Sequence, residues 1–138
     1  MPKKKEINVK KTDQKSRPVI VLVEDDSFLA GMYVTKLELE NFKVELAIDG
    51  EAGLKTIREA KPNIILLDVV LPKKDGFAVL QEIKKDKTLK DIPVILLTNL
   101  GQRSDVDKGL SLGAVDYLIK AHFLPSEVID KIKHFVKR

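Results

Sequence analysis

Cysteine is absent from the 138 residues. Its absence excludes a disulfide framework, a thiolate nucleophile and any Cys-ligated zinc or iron-sulfur site, and it points to a reducing, cytoplasmic setting. Long hydrophobic runs are also lacking. Stretches such as Val19 to Val23 fall far short of the roughly 18 residues that a membrane span needs, so no transmembrane segment is expected. The basic N-terminus leads into polar residues rather than an apolar core region, which argues against a secretory signal. No Gly-x-Gly-x-x-Gly or Gly-x-x-x-x-Gly-Lys-Ser/Thr follows an apolar run, so the usual glycine-rich phosphate cradles are missing. Histidine occurs only at His122 and His134, which leaves a metal-dependent hydrolase short of a positioned base.

What is present suits one folded domain. Hydrophobic residues make up 43% and charged residues 33% of the chain, enough to bury a core beneath a charged surface, and the length is that of a single domain. The net charge of +4 is unevenly placed: residues 1–17 carry seven basic side chains against Glu6 and Asp13, a balance of +5, which leaves −1 for the rest. The first 17 residues lack periodicity and are read as a disordered basic tail, with a domain over 18–138. The near-neutral domain gives no reason to expect specific nucleic-acid binding.

After Pro18, short apolar segments alternate with segments of helical spacing. The strand candidates are Val19 to Val23, Phe42 to Ile48, Asn63 to Leu67, Pro93 to Leu97 and Ala114 to Ile119. Continuous runs such as Ile64-Ile65-Leu66-Leu67 have no polar face, which suits parallel strands covered on both sides. Helical stripes follow at Leu29, Met32, Tyr33 and Leu37, then at Leu54, Ile57 and Ala60, and then at Phe77, Leu80 and Ile83. A fourth lies at Val106 and Leu110, and a fifth runs from Val128 through Ile129, Ile132 and Phe135 to Val136. Ser27, Asp49 and Ser104 are candidate helix caps, Pro125 fits a first helical turn, and Gly113 fits a helix stop. Five strands alternating with five helices predict an α/β, doubly wound, five-stranded parallel sheet of order 2-1-3-4-5. Any site should lie outside the carboxyl ends of strands 1 and 3, where the order reverses.

Carboxylates stand at those two ends. The first strand runs into Glu24, Asp25 and Asp26, and the third into Asp68. Asp26 suits a helix cap equally well. Acids delivered to one crevice from two strands repel by roughly several kcal/mol unless a cation relieves them, and an oxygen-only set of few ligands suits Mg²⁺. The fourth strand leads to Thr98 and the fifth to Lys120, a hydroxyl and an ammonium of the kind that bind phosphoryl oxygens. Asp68 is then the candidate nucleophile, since carboxylates can form aspartyl phosphates.

Several ordered segments resemble the receiver domains of two-component response regulators. They are Val21-Leu22-Val23-Glu24-Asp25-Asp26, Asp68-Val69-Val70-Leu71-Pro72-Lys73-Lys74-Asp75-Gly76, Val94-Ile95-Leu96-Leu97-Thr98 and Gly113-Ala114-Val115-Asp116-Tyr117-Leu118-Ile119-Lys120. Spacings of 43 from Asp25 to Asp68, 30 on to Thr98 and 22 on to Lys120 also match that family. The resemblance implies a flavodoxin-like receiver fold in which Asp68 takes a phosphoryl group from a histidine kinase or a histidine phosphotransfer protein. It implies Mg²⁺ held by Asp25, Asp68 and the Val70 carbonyl, with Glu24 acting through water. Thr98 and Lys120 would bind the phosphoryl oxygens. Tyr117 would be a switch aromatic that turns inward as Thr98 moves, altering the face made by the fourth helix, fifth strand and fifth helix for a downstream protein. The chain would be no enzyme in the ordinary sense but a phosphoacceptor that assists its own phosphorylation and dephosphorylation. With little sequence after the domain, a stand-alone receiver acting as a switch or relay is expected.

Two positions depart from the family pattern. The residue after Thr98 is usually small and here is Asn99; Lys120 is usually followed by a cis-proline and here by Ala121. A cis bond before a non-proline residue costs about 3–4 kcal/mol, so the bond is either trans or held under strain. A small-ligand module or a phosphorylation-independent interaction module could use the same fold, but the first lacks a cradle motif and the second has no use for Asp68, Thr98 and Lys120 together.

Overall fold

A computed structural model describes residues 17–136; residues 1–16 of the expected tail lie outside this range. Five strands, β1 (Val19–Val23), β2 (Lys43–Ala47), β3 (Ile64–Leu67), β4 (Val94–Thr98) and β5 (Asp116–Ile119), alternate with five helices. These are α1 (Ser27–Leu39), α2 (Gly50–Ala60), α3 (Gly76–Lys85), α4 (Arg103–Ser111) and α5 (Pro125–Phe135). All pairings are parallel and the sheet order is β2-β1-β3-β4-β5.

Alternate strand residues face opposite layers, which accounts for the uninterrupted apolar runs. Val21, Val23, Ile65, Leu67, Val94 and Leu96 pack with Leu54, Ile57, Phe77, Leu80 and Ile83 of α2 and α3. Ile20, Leu22, Ile64, Leu66, Ile95 and Leu97 pack on the other face with Tyr33, Leu37, Val128, Ile129 and Ile132 of α1 and α5. Each such side chain contributes about 1.5–3 kcal/mol when fully buried, so both faces demand apolar residues.

Local expectations are corrected at several points. Asp26, not Ser27, caps α1, its Oδ1 accepting from the Leu29 amide at 3.0 Å. Ser104 lies inside α4, whose cap residue Gln102 makes no side-chain capping bond. Asp49 caps α2 as expected, accepting from Ala52 N at 2.7 Å, and Asp75 caps α3 through Ala78 N at 2.9 Å. Pro125 opens α5, and Gly113 follows α4 with φ of 108°. On α4 the stripe differs: Leu110 is 45% exposed and the buried position is Gly109. A Cβ there would lie 2.6 Å from Leu96 Cδ1 and 2.8 Å from Tyr117 Cδ2, so the Tyr117 ring occupies the space an α4 side chain would otherwise fill. No peptide bond among the described residues is cis. Lys120–Ala121 is therefore trans, and the chain passes through one 3₁₀ turn, Lys120–His122.

Candidate functional site

The order reversal puts the ends of β1 and β3 side by side, with Val23 paired to Leu67. The ladder continues one step further, Asp68 N donating to Val23 O and Glu24 N to Ala47 O, each at 3.0 Å. Glu24 and Asp68 thereby become buried carboxylates, 2% and 5% exposed, while Asp25 is exposed at the mouth. One ligand oxygen from each of Glu24, Asp25 and Asp68 can be chosen so that all lie within 4.8 Å of one another. Asp26, the fourth acid, is directed to its capping bond.

Lys120 reaches this cluster from the far edge of the sheet. Its Nζ lies 2.7 Å from Glu24 Oε1 and 2.7 Å from Asp68 Oδ2. Val70 N donates to the other Asp68 oxygen at 3.2 Å, and Asp26 N donates to Glu24 Oε2 at 3.1 Å. Burial raises the Glu24 pKa, and the negative charge of Asp68 adds to this, against the opposing bonds from Lys120 and the Asp26 amide. Burial alone would lower the Lys120 pKa, but its hydrogen bonds to Asp68 and Glu24 outweigh it and the net shift is upward. The amine is therefore charged at neutral pH. With the acids ionised, one ammonium against three carboxylates leaves two negative charges, and the donors are all oxygen. That set fits a hard divalent cation.

Thr98 ends β4 and is fully buried, its Oγ1 accepting from Leu100 N at 3.4 Å. Tyr117 is already turned inward: it is 8% exposed and its hydroxyl donates to the Leu100 carbonyl at 2.7 Å. Burial, then the charges of Asp105 and Asp68, push its pKa up to about 12, so it remains a donor. Leu100 thus bridges Thr98 and Tyr117 through its backbone, a role that no side-chain motif announces. Asn99 is exposed, as are His122 and His134.

The sequence model of the response regulator receiver domain matches residues 20–133. The chain belongs to that family, the phosphoacceptor module of two-component signalling. It is 36% identical over 121 residues to the DNA-binding dual master transcriptional regulator RpaA of Synechocystis, covering 88% of this chain and 50% of the relative. A putative response regulator from Chloroflexus aurantiacus superposes with a TM-score of 0.82 at 30% identity, over 89% of this chain and 100% of that one. The Mn²⁺-bound form of response regulator Rcp1 gives a TM-score of 0.75 at 34% identity, over 86% and 93%. The chain spans about half the length of the curated relatives it matches. No helix among the described residues is long and apolar enough to cross a membrane.

Proposed function

We propose that Asp68 accepts a phosphoryl group from a phosphohistidine of a kinase or phosphotransfer protein, in the cytoplasm. The carrying observation is the Lys120 ammonium bonded at once to Asp68 and Glu24 beside an oxygen-only acid cluster. An Asp68 carboxylate oxygen forms the new P–O bond as the donor's P–N bond breaks and its electron pair returns to the imidazole. Lys120 and the Thr98 hydroxyl stabilise the phosphoryl oxygens. Asp25, Asp68 and the Val70 carbonyl would hold Mg²⁺, with Glu24 acting through water, and the bound ion would supply charge neutralisation for the transferring group. The Mn²⁺-bound relative supports a divalent ion here. The same arrangement returns the aspartyl phosphate to Asp68 by hydrolysis, so the chain assists both its own phosphorylation and dephosphorylation.

Phosphorylation then biases Tyr117 and Leu100, and through them the face formed by α4, β5 and α5, toward a downstream protein. Shifting a population from 1:99 to 99:1 takes about 5.5 kcal/mol, which two or three charge-assisted hydrogen bonds of roughly 1.5–3 kcal/mol each supply. Beryllofluoride with Mg²⁺ should shift the amide resonances of Asp68, Thr98, Leu100, Tyr117 and Lys120 together. Silence at Asp68 and Lys120 would overturn the reading; a response there with none at Tyr117 would favour a relay over a switch.

The acids are separable. Asp25→Asn should weaken Mg²⁺ binding at least about tenfold, followed by titration of the Asp68 amide resonance. Asp26→Asn should change it less than about threefold, because asparagine also caps a helix. Equal losses would mean that the wrong acid is assigned to the crevice.

A further inference from the structure

The loop Val69–Asp75 links β3 to α3 and carries Val70, whose amide already touches Asp68 Oδ1. Its shape is set by contacts to glycine backbone at two places. At its exit, Gly76 N donates to Val69 O at 2.7 Å, and a Cβ on Gly76 would lie 2.1 Å from Asp68 O. In its middle, Pro72 O accepts from Lys74 N at 2.7 Å and from Gly50 N at 3.1 Å. The Lys74 carbonyl lies directly over Gly50: a Cβ on Gly50 would stand 1.7 Å from that oxygen and 2.6 Å from its carbon. Those are backbone atoms, which no rotamer change can move aside. Lys73 takes φ of 68° at the turn and its Nζ lies 3.7 Å from Asp49 Oδ2, a second tie between this loop and the start of α2.

We propose that Gly50, the first residue of α2, is a positioning residue for the metal site: by admitting the Lys74 carbonyl and binding Pro72 O, it fixes the loop that presents Val70 to the cation. The proposal rests on the assignment of Mg²⁺ to this site but concerns a residue that contacts neither metal nor phosphoryl group. Any side chain at position 50 pushes the loop away from α2 and shifts the Val70 backbone relative to Asp68. Coupling between sites is reciprocal, so Mg²⁺ binding must in turn tighten the bond from Gly50 N to Pro72 O.

The test uses Mg²⁺ alone, followed by amide resonances in the full chain. Gly50→Ala should raise the Mg²⁺ dissociation constant at least about tenfold, the range seen when outer partners of metal ligands are lost. Ile57→Val, a core truncation in the same helix, should lower stability while leaving that constant within about twofold. In the unmodified protein, saturating Mg²⁺ should slow hydrogen exchange of the Gly50 amide severalfold, a readout that stands even if Gly50→Ala fails to fold. Unchanged Mg²⁺ affinity in folded Gly50→Ala, or unchanged Gly50 exchange, would overturn the proposal. Failure of the unmodified protein to bind Mg²⁺ would instead overturn the metal assignment on which it rests.

Discussion

Replacing Lys120 by methionine is expected to destabilise the protein by about 3–5 kcal/mol at neutral pH in the absence of divalent cations. The ammonium now sits 2.7 Å from each of two buried carboxylates, and methionine fills a similar volume without charge. Glu24 and Asp68, with oxygens within 4.8 Å of each other, would then face one another uncompensated, a repulsion of roughly 3–4 kcal/mol at an effective dielectric of about 20. The pH dependence follows from Glu24, whose pKa burial already raises and which loses its lowering partner in the variant. A raised carboxyl pKa costs stability above that pKa and the cost fades as falling pH protonates the group. The stability gap between variant and parent should therefore narrow toward acid pH. Saturating Mg²⁺ should restore more stability to the variant than to the parent, because it supplies the missing positive charge. Urea unfolding with and without Mg²⁺, at neutral and mildly acid pH, checks all three. A loss below about 1 kcal/mol would mean that the amine does not hold the acids. Any phosphorylated variant should also fail to shift Tyr117, since the phosphoryl group lacks its ammonium partner.

The sheet is legible in the sequence because burial on both faces forces uninterrupted apolar strands, as at Ile64-Ile65-Leu66-Leu67, and because topology places a site where the order reverses. Glu24, Asp68 and Lys120 stand out for the same reason: each directly follows a strand, with Asp25 one residue further on, at the sheet edge where that topology puts the crevice. What stays hidden is set by backbone and by empty space. Periodicity points to Val106 and Leu110 on the fourth helix; Val106 does pack against the core, but Leu110 is exposed and the buried position is Gly109, without a side chain, opposite Tyr117. Leu100 acts through its carbonyl and amide, so its apolar side chain gives no hint. Serine is a favoured cap residue at positions 27 and 104, whereas Asp26 takes the first cap and Gln102 makes no side-chain capping bond. The basic tail lies largely outside the described residues, and its expected character rests on composition.

Asp68→Asn is expected to remove phosphoryl acceptance altogether while leaving a folded protein. Asparagine keeps the shape of the side chain and an oxygen for Lys120, and it deletes one negative charge from a crowded cluster, so the sheet and its ladder have no reason to fail. The amide oxygen is a far poorer nucleophile than a carboxylate and cannot yield a stable acyl phosphate. Of the neighbouring acids, Asp26 caps α1 and Asp25 is exposed at the mouth, so neither shares the bonds that Asp68 receives from Lys120 and the Val70 amide. The decisive measurement is the intact mass of the chain after incubation with Mg²⁺ and a phosphorylated histidine donor or acetyl phosphate. The unmodified protein should gain one phosphoryl group per chain and Asp68→Asn none; a phosphoryl group carried by Asp68→Asn at undiminished stoichiometry would contradict the assignment of Asp68 as the acceptor.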